Sequence, residues 1–316
     1  MFLNLEKPKQ RVNTKFKSFI RATCHLFSEA VCAGAVLLAV SSAQAQNLFV
    51  SDSVNGNIYE ITPSGEQSVF ASGLDGPWGE AFNSAGNLFV TSRISMLPIQ
   101  PQLSAIHEFT PGGVQTTFAS GLGELGGLAF NSAGDLFVSS GRIIVEITPG
   151  GVQSTFAAGL SSDGLAFDSA GNLFVLDSVK GVIYEYTPGG VRSIFASGLV
   201  NPQGLAFNSA GDLFVSQENG IIYEYAPDGA KSTFASGLYF PLGLAFNSDD
   251  DLFVANLGGE DIIKITPDGV QSTFASGLEP DGLAFQPVPE PSVFGLLAIG
   301  GTALLVHRRC TIAKLR

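Results

Sequence analysis

The triplet Leu-Phe-Val begins at residues 48, 88, 136, 173, 213 and 252, so one motif returns at intervals of 40, 48, 37, 40 and 39 residues. Such self-similarity commits a chain to packing copies of one small unit against each other. A complete unit reads Gly204-Leu-Ala-Phe207, Asn208-Ser-Ala-Gly211, Asp212-Leu-Phe-Val215, Ile222-Tyr-Glu-Tyr225, Pro227-Asp-Gly229 and Ser232-Thr-Phe-Ala-Ser-Gly-Leu238. It holds four short β-type runs separated by Gly-rich turns, and none of the runs has helical spacing. Four strands in about 40 residues make a propeller blade.

The ends of the repeat array distinguish a ring from an open solenoid. The first unit starts at Asn47-Leu48-Phe49-Val50 with no Gly-Leu-Ala-Phe run before it, while Gly282–Phe285 has no Leu-Phe-Val after it. Joined, they complete a sixth blade. The expected fold is therefore an all-β, six-bladed propeller of four-stranded blades, closed by three N-terminal strands and one C-terminal strand. Leu-Phe-Val needs no polar alternation if neighbouring blades cover both faces of its strand. Phe89, Phe137, Phe174, Phe214 and Phe253 are expected to stack between blades with Phe82, Phe130, Phe167, Phe207 and Phe246. Glu60, Glu108, Glu146, Glu185 and Glu224 recur in the third strand, replaced by Lys264 in the last unit. That repetition reads as a solvated or locally paired feature rather than a catalytic one.

Both ends differ from the middle and divide the chain into 1–45, 46–287 and 288–316. Six basic residues precede an apolar run, Ala30–Val40, which ends near Ala43-Gln44-Ala45. Basic, apolar and small residues in that order read as a secretory signal peptide, cut by signal peptidase after Ala45 or retained as an anchor. At the other end, Pro289-Glu290-Pro291 precedes 14 uncharged residues, 293–306, and then His307-Arg308-Arg309. As a helix that run covers only ~21 Å at about 1.5 Å per residue, short of a ~30 Å hydrocarbon core. One reading is a plain transmembrane anchor that relies on flanking residues or bilayer thinning.

Charge and cysteine usage narrow the partners. Between 46 and 287 there are 25 acidic residues against six basic ones, a net of −19, so nucleic acid is excluded as a natural partner. All three Cys (Cys24, Cys32, Cys310) lie in the terminal segments, so the middle has neither disulfides nor thiolate metal sites. His107 is the only His of the middle region, which leaves little support for His-dependent triads or zinc sites.

Positions that repeat in every unit hold the fold, so candidate functional residues are those that differ between equivalent positions. The loop before each inner strand varies, carrying Asp75-Gly76-Pro77-Trp78, Glu124, Asp163, Asn201, Tyr239-Phe240 and Glu279-Pro280-Asp281 in turn. Two residues after Leu-Phe-Val stand Asp52, Ser92, Ser140, Asp177, Gln217 and Asn256. All these positions open on one face of a propeller. Oxygen donors of this kind suit Ca²⁺ or another divalent cation; alternatively, Asp and Asn simply cap turns. Asp163, Asp177, Asn256 and Asp281 form the candidate metal set, with Asp52 and Trp78 as further ligand-binding candidates. Trp78, the only Trp, either stacks on a sugar ring or plugs the channel. About eight extra residues within Arg93–Ala105, rich in apolar side chains, form either a lip on that face or a flap over their own blade.

Two resemblances follow from these residues. Pro289-Glu290-Pro291 with the apolar run and Arg308-Arg309 resembles the PEP-CTERM sorting signal, which implies exosortase processing in a Gram-negative bacterium that makes exopolysaccharide. The seven residues after the arginines depart from that pattern. The repeats resemble the six-bladed propellers of the NHL-repeat and gluconolactonase groups. That second resemblance implies a metal-binding and proposed general-base Asp, matched by Asp281 in Pro280-Asp281-Gly282. Asp163 lies in the related Ser162-Asp163-Gly164, and Asp75 stands where the group has Glu before Gly-Pro. The leading expectation is an exported, non-enzymatic surface or matrix propeller that contacts exopolysaccharide or other surface proteins, membrane-held through its C-terminal helix before processing. The alternative is a metal-dependent lactonase with Asp281 as base.

Overall fold

The computed structural model describes residues 46–93 and 104–288. The expected signal peptide with Ala43 and Ala45, most of the blade-two insertion, and the Pro289-Glu290-Pro291, helix and Arg308-Arg309 segment all lie outside the described residues. Among the described residues, no helix is long and apolar enough to cross a membrane.

Six four-stranded antiparallel sheets follow one another along the chain. The sheet of blade 1 has the order Pro280–Phe285, Leu48–Asp52, Asn57–Ile61, Gln67–Ser72, so the last strand pairs with the first and closes the ring three-plus-one, as the repeat seam requires. In register, Leu48 faces Phe285 and Phe49 faces Ala284. The inner strands of blades 2 to 6 are Pro77–Phe82, Leu125–Phe130, Ser162–Phe167, Pro202–Phe207 and Pro241–Phe246. A single 3₁₀ turn, Leu257–Gly259, interrupts the described β structure.

Local sequence explains the hairpins. In Asn83-Ser84-Ala85-Gly86 the Asn83 side-chain oxygen accepts hydrogen bonds from the amides of Ala85 and Asn87, and Gly86 takes a φ of 81° that a side chain would resist. The second strand of each blade is buried throughout, on both faces. Its Phe stacks edge-on with the inner-strand Phe of the next blade, as expected, and also with a Phe from its own outermost strand. Phe49 is thus 5.1 Å from Phe82 and 5.0 Å from Phe70. The same trio recurs in every blade, and Phe253 with Phe274 and Phe285 completes the ring. Each buried phenyl contributes roughly 1.5–3 kcal/mol, and each edge-on pair about 0.5–1.5 kcal/mol more.

In blades 1 and 2 the third-strand Glu is paired with the Asn that precedes Leu-Phe-Val. Glu60 accepts a hydrogen bond from Asn47 at 2.6 Å, and Glu108 from Asn87 at 2.7 Å. In the last blade Lys264 replaces the Glu and forms an ion pair with Asp251 at 2.7 Å.

Candidate functional site

The inner strands stand around the axis and present three successive residues to it. The first level is Trp78, Gly126, Asp163, Gln203, Leu242 and Asp281; the second is Gly in all six blades; the third is Glu80 followed by five Leu, 128, 165, 205, 244 and 283. These levels line a cavity of about 120 Å³.

The glycine level sets how tightly the ring closes. A Cβ on Gly282 would lie 2.2 Å from the backbone oxygen of Trp78 in the next blade. Each such Gly also carries an irregularity in pairing with the second strand, where Asp52 pairs Pro280 and Val50 then pairs Leu283. The amide freed there is caught by a hydroxyl: Gly282 donates to Ser51 Oγ at 2.8 Å, and Ser51 Oγ donates to Trp78 O at 2.7 Å. Thr91 and Ser216 repeat this bridge between neighbouring blades, to Gly126 O and Leu242 O. The extra pairing carries the inner strand one residue past the expected loop, so Asp163 and Asp281 are second residues of strands rather than loop residues.

The candidate residues fall into two groups. Asp52, Asp177 and Asn256 end the second strands and hold their own loops. Asp52 accepts from the Asn55 amide at 2.8 Å and its side chain at 2.9 Å. Asp177 accepts from the Lys180 amide at 3.0 Å and pairs with its ammonium at 2.7 Å. Asn256 accepts from the Tyr239 amide and donates to Asp261. Trp78, Asp163 and Asp281 instead line the channel. Among the described residues, no three His, Cys, Asp or Glu side chains come together as metal ligands.

Arg93 ties the channel mouth together. Its guanidinium lies 3.8 Å from the Trp78 ring centroid, Nη2 is 3.0 Å from Asp163 Oδ1, and Nε donates to the Leu125 carbonyl. Asp163 Oδ2 accepts from Ser178 Oγ at 2.9 Å.

Two carboxyl groups lie deeper. Asp281 is 4% exposed, and its Oδ2 accepts from the Ser53 amide at 2.8 Å. Burial raises its pKa from 3.8 to about 6; hydrogen bonds from Ser53 oppose the shift, the charge of Asp52 adds to it, and Arg93 opposes it. Glu80, 8% exposed, has no hydrogen-bond partner on either carboxyl oxygen. Burial is the main cause that lifts its pKa from 4.5 to about 8, with the Asp281 charge adding. The backbones of Ser51 and Ala284 pull the other way without reaching hydrogen-bond geometry. Glu80 is not among the residues singled out from sequence, although the repeat carries the signal: Trp78-Gly79-Glu80 stands where the other blades have x-Gly-Leu.

No protein-family model and no curated protein matches the sequence. Solved structures do match. Virginiamycin B lyase from Staphylococcus aureus is 17% identical over 63% of this chain and 69% of its own, with a TM-score of 0.51. A putative gluconolactonase is 16% identical over 74% and 89%, with a TM-score of 0.59. A protein of unknown function from Bacteroides caccae is 16% identical over 78% and 100%, with a TM-score of 0.57. At these identities the likeness concerns the fold: the chain is a six-bladed β-propeller similar to both gluconolactonase-like and virginiamycin B lyase structures.

Proposed function

We propose that this protein is an exported propeller, sorted to the cell surface or matrix, that works by binding at the channel-mouth face. Export and exosortase sorting are supported by the basic-apolar-small order up to Ala45 and by Pro289-Glu290-Pro291, the uncharged run and Arg308-Arg309. The observation that supports the binding reading is that Asp52, Asp177 and Asn256 each accept hydrogen bonds from neighbouring loop amides, while Trp78, Asp163 and Asp281 line the channel. Exopolysaccharide of the producing cell and neighbouring surface proteins are the proposed partners. The test is to recover the protein from the cell surface, weigh it, and assay it for exopolysaccharide co-sedimentation and lactone turnover. Loss of residues 293–316, co-sedimentation and no turnover are expected; retention of the tail removes the sorting reading, and turnover removes the binding reading.

One observation favours a second reading, a propeller hydrolase. Asp281, raised to about 6, and Glu80, raised to about 8, place a base beside an acid near neutral pH. Structural neighbours named as a lyase and a putative gluconolactonase accord with it. Under this reading Asp281→Asn abolishes lactone turnover at pH 7; turnover that survives in the variant ends it.

A further inference from the structure

Trp78 and Arg93, which no other blade repeats, meet Asp163 and Asp281 at the channel mouth. At the position of Trp78 the other blades carry Gly126, Asp163, Gln203, Leu242 and Asp281; at the position of Arg93 they carry Ser53, Gly141, Ser178, Glu218 and Leu257. The fold is built five times without an Arg or a Trp there, so propeller geometry does not require either. What the two make together is a cation cage: an aromatic face at 3.8 Å, a carboxylate at 3.0 Å, a backbone carbonyl, and a second carboxylate, Asp281, near enough for its charge to interact with that of Arg93.

Two carboxyl groups, Asp163 and Asp281, stand around the one resident cation. Behind Asp163 and Asp281 the same cavity is lined by Glu80, more than nine-tenths buried and without a partner on either oxygen. The other five residues of the third level are leucine, a surface suited to an aliphatic stem.

We propose that the channel mouth is a receptor for a small organic cation, an alkyl-guanidinium, whose place Arg93 holds until the ligand displaces it. The inference deepens the binding reading and rests on it. The ligand's guanidinium takes over the Trp78 face and the Asp163 carboxylate, and its stem runs along the leucines toward Glu80. Arg93 then leaves by side-chain rotation, because its contacts with Trp78, Leu125 and Asp163 are all made through the guanidinium.

Trp78 is the only tryptophan in the chain, so its fluorescence reports the cage directly. The experiment titrates full-length protein with agmatine, with N-butylurea as a neutral control and Ca²⁺ as an inorganic control. Wild type, Arg93→Ala, Arg93→Met and Arg93→Ala/Asp163→Asn are compared, each checked for a cooperative melt. The expected result is saturable agmatine binding in all but the double variant, at least tenfold tighter when Arg93 is replaced, with no response to N-butylurea. Folded Arg93 variants that fail to bind, or that respond equally to N-butylurea or Ca²⁺, overturn the proposal. If the Arg93 variants bind but wild type never responds, Arg93 is a fixed plug and the proposal also falls. Should neither Arg93 variant fold, the wild-type titration alone decides by the same criterion. This titration reads the cage alone, whereas the broader binding reading fails on lactone turnover, so the two failures are separable.

Discussion

Glu80 on the inner strand of blade 2 and Asp281 on the inner strand of blade 1 are buried carboxyl groups, and the charge of Asp281 raises the proton affinity of Glu80 across the boundary between adjacent blades. Their placement makes the ring sensitive to pH. Below about 4.5 Glu80 is protonated in both folded and unfolded chains and contributes no penalty. As pH rises from 4.5 to about 8 the unfolded chain ionises first, so stability falls, and the loss levels off once the folded group ionises. Asp281 adds a loss of the same sign between 3.8 and about 6. Glu80→Leu, which restores the leucine level, is therefore expected to raise the melting temperature at pH 8.5 and to change it little at pH 4. Thermal melts across that range check this; an equal shift at both pH values would place the effect in packing alone.

The aromatic trios predict a large and uniform packing cost. Phe174, 5% exposed, touches Phe195 at 5.1 Å and Phe207 at 4.9 Å. Replacing it by Ala should cost about 3–5 kcal/mol, and the same change at Phe214 should cost a similar amount because its surroundings are the same. Denaturant titration of the two variants measures both values.

Glycine substitutions should separate close approach from backbone conformation. Gly282→Ala drives a Cβ into the Trp78 carbonyl, which sits on another blade and cannot turn aside. Gly277 has a φ of 77° and open space around it, so Gly277→Ala strains only the backbone, costing on the order of 1–2 kcal/mol. The expected order of melting temperatures is wild type, Gly277→Ala, then Gly282→Ala.

The Lys264–Asp251 ion pair stands where blade 2 has the Asn87–Glu108 hydrogen bond. Lys264→Glu alone sets two carboxylates against each other. Adding Asp251→Asn recreates the arrangement of Asn87 and Glu108 and should recover most of the loss. Both partners are partly exposed, at 33% and 11%, so the recovery is expected to be about 1 kcal/mol or less, read from a double-mutant cycle.

The blades, their number and the seam were legible because each rests on a signal that repeats. Leu-Phe-Val marks a strand covered on both faces, Asn-Ser-Ala-Gly marks a hairpin, and the missing halves at Asn47 and Phe285 mark where the ring closes. The Phe of Ser-Thr-Phe-Ala-Ser repeats just as faithfully, yet its edge-on contact with the second strand depends on how an outermost strand folds back, which spacing does not state. The hydroxyls of Ser51, Thr91 and Ser216 were likewise visible as residues but not as bridges, because their partners belong to a different blade.

The candidate site was less legible, for a physical reason. Asp52, Asp177 and Asn256 share a repeat position with ligand-like chemistry, and sequence alone leaves open whether such oxygens turn inward or cap their loops. Asn55 and Lys180, each three residues on, satisfy the two Asp side chains, and the Tyr239 amide, 17 residues earlier, satisfies Asn256. Arg93 reaches Leu125 and Asp163, on two other blades, and no sequence spacing encodes that reach. Sequence determined the fold because covering a β strand on both faces is a demand that each unit states for itself. Tertiary structure decided the site because the direction of a side chain and the burial of a charge such as Glu80 arise only when six units meet around one axis.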